Sequence, residues 1–195
     1  MRRLLVLLPF TWIGCGNPST PEQTLTDEAF VRQTSAALQA SGLFPGIFAA
    51  GLDVIEVSPD IFGTSTPVVG RYAFAVASSH GRVLGQYRFS ESVDGVTTHY
   101  SGKLTCVGLY DFNGLTSNRA KIGGQVDVSD DPDIPVGTFI WWQAIDNRLL
   151  HRADQSTLTG FGDEAANEAF CASANPPRFG PFDVERGDIF VVGSP

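Results

Sequence analysis

The chain has 195 residues, of which 43% are hydrophobic and 17% charged. That length fits one domain and hardly two, and the apolar fraction supplies a packed core, which excludes wholesale disorder. Thirteen basic residues against 21 acidic ones give a formal charge of −8, the wrong sign for holding phosphate, so no nucleic-acid partner is expected.

The N-terminus reads as an address. Met1-Arg2-Arg3 is charged, Leu4 to Ile13 is mostly apolar, and Gly14-Cys15-Gly16 leads into a stretch rich in Pro, Ser and Thr. This is the order of a signal peptide over residues 1–14, too short to span a bilayer as a helix. Trp12-Ile13-Gly14-Cys15 resembles the lipobox of bacterial lipoproteins, although that motif prefers Leu where Trp12 stands. The resemblance implies acylation of Cys15, so that the chain meets a membrane through lipid rather than protein. Residues 15–26 then form a tether. A soluble secreted protein is the alternative.

Of the three cysteines, this leaves Cys106 and Cys171. Two thiols in an exported chain are expected to pair; two separate buried thiols are the alternative.

Thr26 suits an N-cap, Asp27 and Glu28 a first turn and Gly42 a stop, so residues 27–41 are expected to form one helix, with a linker to residue 46. Its apolar face is thin, and it must lean on a larger body. From residue 47 to 195 the period changes from 3.6 to 2. Leu52–Val57 is a short strand. Val68–Ala77 alternates, with Tyr72, Phe74 and Val76 on one face, and Ser79-His80-Gly81 turns it into a return strand over Val83–Phe89. Val93-Asp94-Gly95 is the next turn. Further strands cover Thr97–Leu109, with a break near Gly102, then Asn118–Val128, Gly137–Asp146 and Ile189–Val192. Gly123-Gly124 marks a bulge or a close backbone approach. Residues 147–187 look irregular, with some helix around Asp163–Phe170.

The fold class is therefore all-β: a single antiparallel barrel or sandwich of seven or eight strands behind a short N-terminal helix. Tyr72, Phe74, Val76, Tyr87 and Phe89 are expected in the core. Trp141 and Trp142 must face opposite sides of their strand.

The block Gly102-Lys103-Leu104-Thr105-Cys106-Val107, the run Asn118-Arg119-Ala120-Lys121-Ile122-Gly123-Gly124, the pair Asp146-Asn147 and the ending Gly187-Asp188-Ile189-Phe190-Val191 resemble a pattern shared by a group of uncharacterised bacterial exported all-β proteins. The resemblance spans about residues 68–192. It implies a secreted all-β domain and no particular activity. Arg148 stands where that pattern has Gly, and Tyr110-Asp111-Phe112 lengthens the hairpin.

Chemistry is sparsely marked. Asp127, Asp130, Asp131 and Asp133 crowd one turn and are weak calcium candidates; a solvated turn explains them better. No metal and no cofactor is expected. His80, His99 and His151 are scattered, without zinc spacing. Gln143 shares a parity with Phe139, Trp141 and Ile145. If that face lies inside, Gln143 with His99 is the one candidate pair for acid–base work; if Ile140, Trp142 and Ala144 lie inside, Gln143 is exposed. Three functions follow. The first is a lipid-anchored envelope module that binds an apolar or sugar small molecule, or another envelope component. The second is a cavity-type isomerase or cyclase on a lipocalin-like or allene-oxide-cyclase-like barrel, which needs few polar groups. The third is a structural envelope protein without ligand.

Overall fold

In the computed structural model, residues 26–40, 46–110, 118–173 and 180–193 are described. The readings placed on residues 1–25, including the lipobox-like Cys15, and on Asp111-Phe112 lie outside them. Tyr72, Phe74 and Val76 of strand β2 (Val68–Ser79) point to one side and are fully buried, and Tyr87 and Phe89 of β3 (Arg82–Val93) join them. The two strands pair antiparallel through the turn at His80-Gly81, both residues with positive φ (51° and 75°), as the tight hairpin requires.

The pairing continues until it closes. β4 (Val96–Leu109) follows β3, and β5 (Arg119–Ser129) and β6 (Phe139–Ile145) come next. The two-residue β7 (Gln155–Ser156) joins β6 to β9 (Phe182–Val192), β9 pairs with β1 (Ile47–Val57), and β1 with β2. β8 (Gly160–Gly162) adds to the first half of β6. The all-β barrel is thus an antiparallel ring, with nine strands among the described residues rather than seven or eight. The two extra strands are the shortest and lie in the stretch read as irregular.

Rings fill the interior. Phe89 lies 4.6 Å from both Tyr72 and Trp142, Trp142 lies 5.5 Å from Phe74, and Tyr87 lies 4.8 Å from Phe89, mostly edge to face. Ile122, Val126, Ile140, Ile189 and Val191 complete the packing. Each such side chain contributes roughly 1.5–3 kcal/mol by leaving water.

Helix α1 (Asp27–Ala40) begins with Thr26 Oγ1 accepting the Ala29 N–H at 3.3 Å. It packs on the outside of the barrel, with Leu38 and Val31 against Phe48, Ala50, Ala75 and Ala77. This explains why β1 starts at Ile47 and not at Leu52. Ile47-Phe48-Ala49-Ala50-Gly51 shows no alternation because both of its faces are covered, the outer one by α1. β9 likewise starts at Phe182 and not at Ile189. Its first half carries Asp183, Glu185 and Arg186 on the exposed side, and its register on β1 slips at Glu185, between the pairs Val54–Arg186 and Ile55–Val184.

The turns at one end carry helix α2 (Pro59–Phe62), between β1 and β2, and the Asp94-Gly95 turn between β3 and β4. Asp94 ties them together: its carboxylate accepts the Ser65 N–H at 2.8 Å, the Ser65 hydroxyl at 2.7 Å and the Thr66 N–H at 3.2 Å. These hydrogen bonds hold its pKa below the usual carboxylate range. On the outer face, helix α3 (Glu164–Ala172) packs over β4, β5 and β6. Asp163 caps it by accepting the Ala166 N–H at 2.8 Å. A disulfide between Cys106 and Cys171, with Cα atoms 6.1 Å apart, staples it to β4.

Candidate functional site

The residues singled out from the sequence do not form one site. Ile140, Trp142 and Ala144 are the inward set of β6, fully buried in the core, so Gln143 points outward. It is nevertheless 1% exposed, neither inside the barrel nor on its surface. The Tyr110 hydroxyl donates to Gln143 Oε1, and the Gln143 N–H donates to Thr157 Oγ1 at 2.9 Å. The segments that cover the barrel wall produce this third outcome, and alternation along one strand cannot reveal them. Trp141, the outward neighbour, lies under Phe170 of α3, ring centroids 6.0 Å apart. His99 also faces outward but is exposed, with Nδ1 3.1 Å from Asp130 Oδ2. Gln143 and His99 therefore do not meet.

The acidic turn is occupied by its own contacts. Asp127 lies 3.7 Å from Lys103 Nζ, Asp130 holds His99, and Asp131 accepts the Thr98 hydroxyl at 3.0 Å and the Asp133 N–H at 2.8 Å. Among the described residues no three His, Cys, Asp or Glu side chains converge to hold a metal ion.

Lys121 went unremarked as a site in the sequence. It stands on the outer parity of β5, 1% exposed, and its ammonium donates to Ser173 O and Oγ at 2.6 and 2.5 Å. The Phe170 ring lies 5.1 Å away. The cation thus meets the carbonyl end of α3, where the helix dipole is negative. Burial lowers its pKa. This is an anchor for the helix.

A second polar seam runs beside β9. Asp154 accepts the N–H groups of Asn147 and Ile189 at 2.7 and 2.8 Å, and Asp146 accepts that of Val191 at 3.3 Å. The loop between β6 and β7 thereby completes the edge of β9. Arg148 donates Nε and Nη2 to Asp146 at 2.9 and 2.6 Å and lies over the Phe190 ring at 4.6 Å. Burial raises the Asp146 pKa, but these donors outweigh it and hold it low. A cleft of about 540 Å³ opens here, between Asn118, Arg148, Leu149 and the end of β9. Asp146 and Arg148 are committed to one another, and Asn118 Nδ2 donates to Asp146 O at 2.8 Å, while Asn118 Oδ1 has no hydrogen bond among the described residues.

The inner face of the barrel carries two further carboxylates. Asp53 follows the inward parity of Ala49, Ile55 and Val57 and is fully buried, opposite Tyr72 on β2 and Gly187 on β9. Neither of its carboxyl oxygens has a hydrogen-bond partner among the described residues. Burial, helped by the charge of Asp154, pushes its pKa up to about 7, although the Ser156 hydroxyl pulls the other way. That hydroxyl makes its own hydrogen bond to Gln143 O, at 3.3 Å.

Glu91 continues the parity of Tyr87 and Phe89 to the α2 end, where it is partly exposed. Three hydroxyls donate to one of its oxygens, Oε1: Tyr100 at 2.8 Å, Thr159 at 3.1 Å and Tyr72 at 3.3 Å. Oε2 has no hydrogen bond among the described residues. Burial, and then the charge of Glu91, push both tyrosines' pKa values well above normal, so these hydroxyls remain donors. The ring of Phe161 on β8, 43% exposed, stands 6.4 Å from that of Tyr100. This mouth combines a carboxylate oxygen held in place but uncommitted, an aromatic wall and access from solvent. The spacing Tyr87-x-Phe89-x-Glu91 carried the signal, since a strict period of 2 puts Glu91 on the inner face.

No protein-family model matches this chain, and no curated protein or solved structure matches it either.

Proposed function

We propose that this chain is an exported, lipid-anchored β-barrel module of the bacterial envelope that binds a small molecule at the mouth formed by Glu91, Tyr100, Thr159 and Phe161. The observation that carries the reading is the contrast between interior and mouth. Tyr72, Phe74, Tyr87, Phe89 and Trp142 pack ring against ring within the barrel. That speaks against a hollow interior shaping a substrate for isomerisation or cyclisation. At the α2 end, by contrast, a carboxylate oxygen is left for a ligand. The Cys106–Cys171 disulfide suits an oxidising compartment. The lipobox-like Cys15 supports the anchor.

The anchor is tested in bacteria fed labelled fatty acid. The full chain should take up label and sediment with membranes, whereas Cys15→Ser should lose the label and either leave the membranes or remain unprocessed. Equal mass and equal partition of the two proteins would overturn the anchor.

A further inference from the structure

We propose that the Glu91 mouth takes an organic cation, an amine or quaternary ammonium with a small apolar body. This rests on the small-molecule reading above and names its ligand class. Three features point to it. First, Glu91 is partly exposed, and its Oε1 receives three hydroxyl hydrogens, which fix the carboxylate and leave Oε2 purely an acceptor. A ligand that meets Oε2 must bring hydrogens or positive charge.

Second, the Phe161 ring offers an exposed aromatic surface on the same side. Tyr100 links the two, with its hydroxyl on Glu91 and its ring beside Phe161. A cation over such a ring is attracted by the negative face of its π-system, more strongly as water is excluded. Third, the local field favours cations. The charge of Glu91 is felt by both Tyr72 and Tyr100, whose pKa values it helps to raise. The whole chain carries −8, which raises the local concentration of cations and lowers that of anions. A sugar would satisfy Oε2 through a hydroxyl and stack on Phe161, but it would gain nothing from this field.

Choline, its uncharged isostere 3,3-dimethylbutan-1-ol and glucose separate these cases. Each is titrated by calorimetry into the purified full chain in detergent, at low and high salt. Choline should bind, the isostere at least tenfold more weakly, and high salt should weaken choline alone. Glu91→Gln retains an acceptor oxygen for the three hydroxyls, and should weaken choline about tenfold with little change in thermal unfolding. Phe161→Leu, at a half-exposed site, should weaken it about threefold to tenfold. Equal binding of choline and the isostere, or preference for glucose, would overturn the cation while leaving a small-molecule mouth. Choline binding untouched by both Glu91→Gln and Phe161→Leu would place the ligand elsewhere and overturn the mouth with the cation. If none of the three compounds binds, both the cation and the small-molecule reading fall.

Discussion

Asn167 of α3 occupies the space that a side chain at Gly123 of β5 would need. A Cβ on Gly123 would lie 1.8 Å from Asn167 Oδ1 and 2.8 Å from Cys106 Sγ. The close approach lets Asn167 Nδ2 reach Thr105 Oγ1 at 3.0 Å and brings α3 down onto the strands beside the disulfide. Gly123→Ala should therefore cost on the order of 1–3 kcal/mol, the usual penalty for overpacking. The loss should concentrate in α3. Hydrogen exchange at the amides of α3 should accelerate far more than at β2 or β3, and uniform acceleration would show that the contact is not what holds the helix.

The disulfide makes the same attachment covalent. Its cysteines are 65 residues apart in sequence. In the chain-entropy account a loop of that length contributes on the order of 4 kcal/mol, by restricting the unfolded chain. The double variant Cys106→Ala/Cys171→Ala should lose about that much in chemical denaturation. A reducing agent should destabilise the unaltered chain to a similar degree and leave the variant unaffected. Loss of less than about 1 kcal/mol would mean that Lys121, Asn167 and Trp141 hold α3 without the staple.

The sequence made the barrel legible where one face of a strand is wet. The exposed Arg71, alternating with Tyr72, Phe74 and Val76, gave the parity, and the core followed from it. The outline blurred wherever a second layer covered the wall. Ile47–Gly51 lost its period beneath α1, and Gln143 became buried on the outer face beneath Tyr110. Gly123-Gly124 announced a close approach without naming Asn167 as the residue that fills it. The mouth was partly legible as well, since Glu91 is the next inward position after Tyr87 and Phe89. What the spacing lacked was the convergence of Tyr100 and Thr159 from distant segments. Asp53 was least visible, because Leu52–Val57 alternates without saying which parity is inside.

Asp53 makes stability depend on pH in a direction opposite to that of most carboxylates. Its pKa is about 7 in the folded chain against an ordinary 3.8. Between those values the folded state keeps a proton that the unfolded state has released, so raising the pH favours unfolding. The stability linked to this group is full below about pH 4, is lost progressively up to about pH 7 and changes no further above it. Each pKa unit corresponds to about 1.4 kcal/mol, so the loss is on the order of 4 kcal/mol. Asp53→Asn keeps the shape and cannot ionise. Asp146 and Asp94, whose pKa values are lowered, contribute the opposite slope below the ordinary carboxylate range, and they do so in both proteins, so the difference between the proteins isolates Asp53. Chemical denaturation should give Asp53→Asn a stability advantage at pH 8 that is several kcal/mol larger than at pH 4.5. An advantage that does not change with pH would mean that Asp53 is charged in the fold throughout this range, held by a partner that water or rearrangement supplies.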